Sequence, residues 1–143
     1  MVAVISERLE RLEKALAVMR ETWNPVLSVD VPVRLRNMSN ARWGWKATAK
    51  LAKVVRPMAS KLVSRAKPEC LAGPGPGPIF VRLVYIGPRQ LDDDGVASAV
   101  KSLRDGVADA LGVDDRDPRV VWVSDQERGG VREYGARVEV YLG

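Results

Sequence analysis

At 143 residues, 46% hydrophobic and 29% charged, the chain has the size of one domain with one core, and no apolar run approaches the roughly 18 residues a membrane span requires. The absence of histidine excludes Ser/His and Cys/His nucleophile pairs and imidazole zinc sites, and the single cysteine, Cys70, excludes an internal disulfide and a thiolate cage. The net charge of +5 conceals a segregation: ten basic residues and no acid lie between Val31 and Pro68, whereas eight aspartates face four basic residues between Pro88 and Pro118. A basic chain enclosing an acidic patch points to a polyanion partner with a cation between the two.

In chain order, "VAVISERLERLEKALAVMRETW" places Val2, Leu9, Leu16 and Trp23 on one seven-residue repeat and Ile5, Leu12 and Met19 on another, an a/d seam. Residues 1–24 are therefore predicted as an N-terminal amphipathic helix. Docking on its own domain is favoured over dimerisation, because three heptads are short for an independent coiled coil. The early acids and the lack of a cleavage site do not read as a signal peptide, so a cytoplasmic location is expected. "VLSVDVPVRLR" alternates Leu27, Val29, Val31, Val33 and Leu35 with more polar positions, the period of a half-buried strand, and Pro32 assigns it to a sheet edge or bulge.

From Trp43 to Arg65 the period is helical, with Leu51, Val55, Met58 and Leu62 on one side and Lys46, Lys50, Lys53 and Lys61 on an adjacent stripe. Pro57 is expected to kink or split this helix. A lysine stripe is commonly a solvated face, but exposed helices normally mix signs, and the missing acids make a DNA-backbone surface the competing reading. Trp43 and Trp45 would either stack on bases or sugar, or serve the core or the helix start. "AGPGPGP" is a loop, and "IFVRLVYI" is apolar enough for a central strand covered on both faces. "RVVWVS" and "ARVEVYL" read as strands, with Gly129 and Gly130 inviting a hairpin turn between them. Residues 25–143 thus form one α/β (α+β) domain: a small mixed β-sheet of about four strands with helices packed on it.

The stretch "QLDDDGVASAVKSLRDGVADALGVDD" carries the chemistry. Val96, Val100, Leu103, Val107 and Leu111 recur at helical spacing, and Gly112 occupies the position of a left-handed cap. Asp92 and Asp94, extended just past a strand, would point the same way with Cα atoms roughly 6 to 7 Å apart. Helix capping explains one aspartate at the start, but not three, and not Asp114 and Asp115 near the negative end of the dipole. Uncompensated carboxylates in one neighbourhood are costly unless a cation joins them. The calcium loop of an EF-hand does not fit, since Gln90 would stand at its first position and Lys101 at its twelfth. "SAVK" matches Ser-x-x-Lys, yet the chain lacks the Lys-Thr-Gly element that accompanies it in penicillin-binding enzymes.

An apolar strand, "DDDG", a lysine in the following helix, "RDGVADALG" and "DD" together resemble the RusA-like family of Holliday-junction resolvases, most clearly from Val81 to Val123. The basic "RNMSNARWGWK" is similar to that family's N-terminal Asn/Arg loop. The resemblance implies a dimeric α/β endodeoxyribonuclease that binds four-way DNA junctions and cuts with Mg²⁺, or with Mn²⁺ in its place. It assigns the Asp-x-Asp pair to Asp92 and Asp94, the essential lysine to Lys101 and the later aspartate to Asp115, with Asp114 beside it. Gly95 replaces the usual asparagine, and about three extra residues, around "VAS", precede Lys101.

The chemistry is consistent with that assignment, because a carboxylate-bound Mg²⁺ neutralises a phosphodiester and activates water without histidine. In this reading Asp92, Asp94 and Asp115 hold metal, Asp114 positions water or a second ion, and Lys101 stabilises charge on the phosphorane. Arg36, Arg42, Lys46, Lys50 and Lys53 track the DNA backbone. The alternatives are a non-catalytic DNA-binding protein and a metal-dependent phosphohydrolase or nucleotidyl transferase acting on small substrates. A straight helix from Gly95 to Leu111 would be roughly 25 Å long, too long for Gly112 to Asp115 to reach back to Asp92. A shared metal therefore requires a late helix start after "VAS", a bend near Ser102 or Gly106, or a third carboxylate from a partner subunit.

Overall fold

The structure is a computed structural model that describes residues 10, 13, 17, 24–36, 44–68, 78–114 and 116–142. Most of the N-terminal amphipathic segment, Arg42, Trp43, most of the Gly/Pro loop and Asp115 lie outside the described residues; of the N-terminal segment Glu10, Glu13 and Ala17 are helical and exposed. Four strands form one mixed sheet: β1 (Leu27–Val31), β2 (Ile79–Gly87), β3 (Val120–Arg128) and β4 (Gly135–Leu142). Three helices pack on it: α1 (Gly44–Ala66), α2 (Asp93–Ala99) and α3 (Lys101–Leu111). The small mixed sheet carrying helices is the α+β architecture expected from the sequence. Among the described residues no helix is long and apolar enough to cross a membrane.

The spatial order is β1-β4-β2-β3. β2 is central because its residues are apolar in both registers: Val81 and Leu83 face the helices, while Phe80 and Val84 are buried on the other side. It pairs parallel with β3 and antiparallel with β4. β1 is an edge strand and ends at Val31, before Pro32, which has no N–H to continue a ladder. The expected hairpin between the last two strands is not formed. β3 and β4 flank β2 instead of each other, and their connection crosses the end of β2, where Gly129 N donates to Gly87 O at 2.9 Å. Glycines permit a tight turn but do not choose a neighbour; the doubly apolar β2 offers β4 more buried pairing than β3 does.

The helix-side core joins Val81, Leu83, Val138 and Val140 of the sheet to Val55, Ala59 and Val63 of α1 and to Val96, Val100, Leu103 and Val107. α1 continues through Pro57. The hydrogen bond that Pro57 cannot donate would have gone to Lys53, and both residues are exposed, where solvent can serve the orphaned carbonyl. The opposite sheet face carries an ion network, in which Arg82 donates to Asp125 (2.6 Å) and Glu139 (3.1 Å), and Arg137 donates to Glu139 (2.7 Å) and Glu127. Burial alone pushes the Glu139 carboxyl up, and hydrogen bonds from Tyr141, Arg137 and Arg82 outweigh it, leaving Glu139 below the usual carboxylate range. Burial and then Glu139 push the Tyr141 hydroxyl up to about 12.

α1 and α3 cross at Gly106, where an added Cβ would stand 2.4 Å from the Arg56 carbonyl oxygen and 2.8 Å from the Ala59 Cβ. Gly106 therefore serves close helix packing, not a bend. Helix propensity alone would make Gly106→Ala stabilising by about 1 kcal/mol. The backbone contact reverses that sign, and we expect a net loss of about 2 kcal/mol in urea denaturation.

Candidate functional site

β2 ends at Gly87, and the chain turns through Pro88 to Leu91 into the aspartate run. Asp92 is extended (φ −71°, ψ 170°) and is the N-cap of α2; its Oδ1 accepts from Gly95 N at 2.7 Å, and its carbonyl accepts from Val96 N at 2.9 Å. The expected extended Asp92–Asp94 pair is thus replaced by a cap followed by a helical turn, because burial of Gly95 and Val96 draws the helix start back to Asp93. Asp93 and Asp94 are exposed in that first turn, at the positive end of the helix dipole. None of the three aspartates forms an ion pair with a described residue. Asp109, Asp117 and Asp125, by contrast, are paired with Arg56, Arg119 and Arg82.

The helix divides at Val100 (φ −91°, ψ 1°), directly after the inserted residues, and Lys101 opens α3, exposed. The division is shallow: Val100 N still donates to Val96 O and Arg104 N to Val100 O. Lys101 lies seven positions beyond Asp94, two turns and roughly 10 Å along the same side. The path from Asp93 to Leu111 is then roughly 27 Å long. A second ruler agrees: Ile79 pairs with Val120 and Gly87 with Arg128, so the two ends of β2 are roughly 26 Å apart.

Asp114 sits at the far end. Its carbonyl accepts from Asp117 N (2.9 Å), the Asp117 carbonyl accepts from Val120 N (3.1 Å), and Asp114 Oδ1 accepts from Arg116 N (2.9 Å). It lines a cleft of about 340 Å³ with Arg56, Asp105 and Asp109. Asp115 lies outside the described residues. Among the described residues, no three acidic or cysteine side chains are grouped to hold a metal ion. A parallel β2–β3 pair makes the crossover helices span the sheet, so Asp114 stands at the opposite end from Asp92 and Asp94; Asp115, the third carboxylate of the expected convergence, lies outside the described residues. Asp92 and Asp94 alone match the one or two carboxylates with which proteins commonly hold Mg²⁺ beside substrate phosphates.

Of the basic candidates, Lys46, Lys50 and Lys53 are exposed on α1, Arg36 is half-buried beyond β1, and Arg42 lies outside the described residues. Sequence reasoning missed Gln126, whose carboxamide accepts from Leu91 N and donates to Leu91 O, each at 2.8 Å. A signal existed: Trp122, Ser124 and Gln126 alternate onto the helix-facing side of β3, so polar residues there need a partner. A cleft of about 230 Å³ opens between Asp93, Val96, Ser124, Asp125 and Gln126.

No protein-family model matches the chain. Over 92 residues, 62% of the chain, it is 35% identical to an uncharacterized protein of Xylella fastidiosa (strain Temecula1 / ATCC 700964), and the match covers 60% of that relative's own length.

The cap bond separates two roles of Asp92. Asparagine caps as well as aspartate, so Asp92→Asn is expected to melt within about 0.5 kcal/mol of wild type, whereas Asp92→Ala should lose about 1 kcal/mol. Equal losses in the two variants, read by thermal denaturation, would remove the cap from the account of this helix start.

Proposed function

We propose that the protein is a Mg²⁺-dependent endodeoxyribonuclease, with Mn²⁺ as a substitute, that hydrolyses phosphodiester bonds in branched DNA and resolves four-way junctions in recombination and repair. The observation that carries this reading is Asp92, Asp93 and Asp94 at one helix head, exposed and, among the described residues, without a paired cation, in a chain whose α1 segment is basic and free of acids. Asp92 and Asp94 hold the ion, which supplies phosphate neutralisation and an activated water. Lys101 reaches toward the same side and steadies charge on the phosphate. Lys46, Lys50 and Lys53, with Arg36 and Arg42, follow the DNA backbone, and the resemblance to RusA-like resolvases supports the same assignment.

A cytoplasmic homodimer belongs to this reading. Among the described residues β3 has no strand on its outer edge, and an antiparallel partner there would bring the Asp114 end of one copy beside the Asp92 end of the other. The third carboxylate is then supplied across the dimer. The cap bond of Asp92 favours a second reading, DNA binding without catalysis, in which the aspartates only start the helix.

The test is cleavage of a four-way junction. Mg²⁺ should support it and EDTA abolish it. Asp92→Asn, Asp94→Asn and Asp115→Asn should each lose at least about 100-fold in rate while binding the junction as well as wild type or better, because a negative charge near phosphate is removed. Mixing Asp92→Asn with Asp115→Asn chains restores one intact site per mixed dimer if the site is shared, and none if each chain is self-sufficient. Full binding with no cleavage by wild type would leave the second reading standing.

Salt dependence tests the α1 surface. Replacing Lys46, Lys50 and Lys53 by Ala should weaken junction binding and flatten the log–log salt slope by about one unit per lost phosphate contact. An unchanged slope returns the stripe to an ordinary solvated face.

A further inference from the structure

Gln126 stands near the C-terminal end of β3, 35 positions from Leu91, yet one carboxamide satisfies both backbone polar groups of that residue. The geometry imitates one rung of strand pairing, made by a side chain where β2 has already ended. Leu91 immediately precedes Asp92, so the clamp holds the chain on one side of the aspartate while the Gly95 cap bond holds it on the other. Only the soft torsions of the Leu91–Asp92 link lie between the two anchors.

The clamp itself is anchored. Gln126 N donates to Asp125 Oδ1 at 2.8 Å, and Asp125 Oδ2 receives Arg82 Nη2 at 2.6 Å and Nε at 2.9 Å. A continuous polar chain therefore runs from the ion network on the open sheet face, around the edge strand, to the acidic helix head. Gln126 also forms the wall shared by two clefts. One holds Asp93, Ser124 and Asp125, and the other, of about 190 Å³, holds Arg89, Gln90, Glu127 and Arg128.

We propose that Gln126 is the positioning residue of the site: by clamping Leu91 it sets where Asp92 and Asp94 stand relative to the cleft that carries Arg89 and Arg128. The inference depends on the nuclease reading above. Gln126 touches no reacting atom; it acts through Asp92. A displacement of about 1 Å in a reacting geometry can cost 10²-fold in rate, so a clamp one residue from a metal-holding carboxylate acts on turnover more than on affinity.

Two variants of the full-length chain test this. Gln126→Leu removes both hydrogen bonds. Gln126→Glu keeps an acceptor for Leu91 N–H, but it can donate to Leu91 O only when protonated. In single-turnover cleavage of a four-way junction, Gln126→Leu is expected to fall about 10- to 100-fold in rate at saturating DNA, with junction Kd unchanged within about two-fold. Gln126→Glu should show a deficit relative to wild type at the same pH that narrows as pH falls from about 8 toward the ordinary glutamate range near 4.3. A structural role alone would lower the active fraction and the binding amplitude together, and would leave the pH profile parallel to wild type. A second readout needs neither metal nor DNA: amide exchange at Leu91 should quicken at least about ten-fold in Gln126→Leu. Faster exchange with wild-type cleavage rates would make the clamp a mere tether and overturn the proposal, as would unchanged exchange. A wild-type protein that cuts no branched DNA would overturn the nuclease reading itself, and the exchange measurement would show that failure to be separate from the clamp.

Discussion

The parallel pairing of β2 with β3 is the constraint from which the rest of the arrangement follows. Parallel neighbours cannot be joined by a turn; the chain must leave the C-terminal end of β2 and re-enter at the N-terminal end of β3. The crossover is α2 and α3, and their combined length matches the length of the strands they span. The same pairing aligns the C-terminal ends of both strands, and so brings Gln126 to Leu91. It also sends Asp114 to the opposite end from Asp92. Bringing Asp114 to Asp92 in one chain would require breaking the crossover, whereas a second copy related by a two-fold axis would leave it intact.

Much of this fold is legible in the sequence because burial writes a clear period. The apolar run of β2, the helical spacing of Val96, Val100, Leu103 and Val107, the edge position of β1 and the left-handed Gly112 (φ 68°) all appear where the residues put them, although β1 ends at Val31, short of the expected Val33 and Leu35. Strand order is not written locally. "ARVEVYL" has the same alternation whether it pairs with β3 or with β2, and only the competition for the central strand decides. Pro57 does not split α1 for a related reason, since its cost depends on whether the orphaned carbonyl meets water or protein. At the site, the aspartates were readable as a cluster, but their backbone state was not. Gln126 escaped because a single polar residue on a strand has a partner only in three dimensions.

The open face of the sheet shows what this chain does with charge when it has no further use for it. Arg82 and Arg137 interleave with Asp125, Glu127 and Glu139, and the most buried carboxylate, Glu139, receives Tyr141 as well. Such half-buried networks set geometry more than they stabilise, because desolvation offsets most of the Coulomb gain. Here the geometry is passed on: Arg82 orients Asp125, whose other oxygen accepts from the backbone of Gln126.

The helix head is treated differently. The positive end of a helix is equivalent to roughly half an elementary charge. One capping carboxylate already exceeds that, and Asp92 takes the cap position with a hydrogen bond to Gly95. Asp93 and Asp94 then add two further negative charges in the same turn, with no arginine or lysine of the described chain paired to either. Elsewhere in the described chain, Asp109 and Asp117 each have an arginine within 3 Å. Surface aspartates tolerate this excess through solvent and salt, but a run of three costs repulsion that a single cap would avoid. The dipole therefore accounts for Asp92 and leaves Asp93 and Asp94 over. A divalent cation bound by Asp92 and Asp94, as proposed above, would remove that repulsion and use the oxygen that the cap leaves open. The cap and the proposed metal site would thus be compatible roles of one side chain: the backbone bond from Gly95 engages one oxygen and leaves the other for a cation.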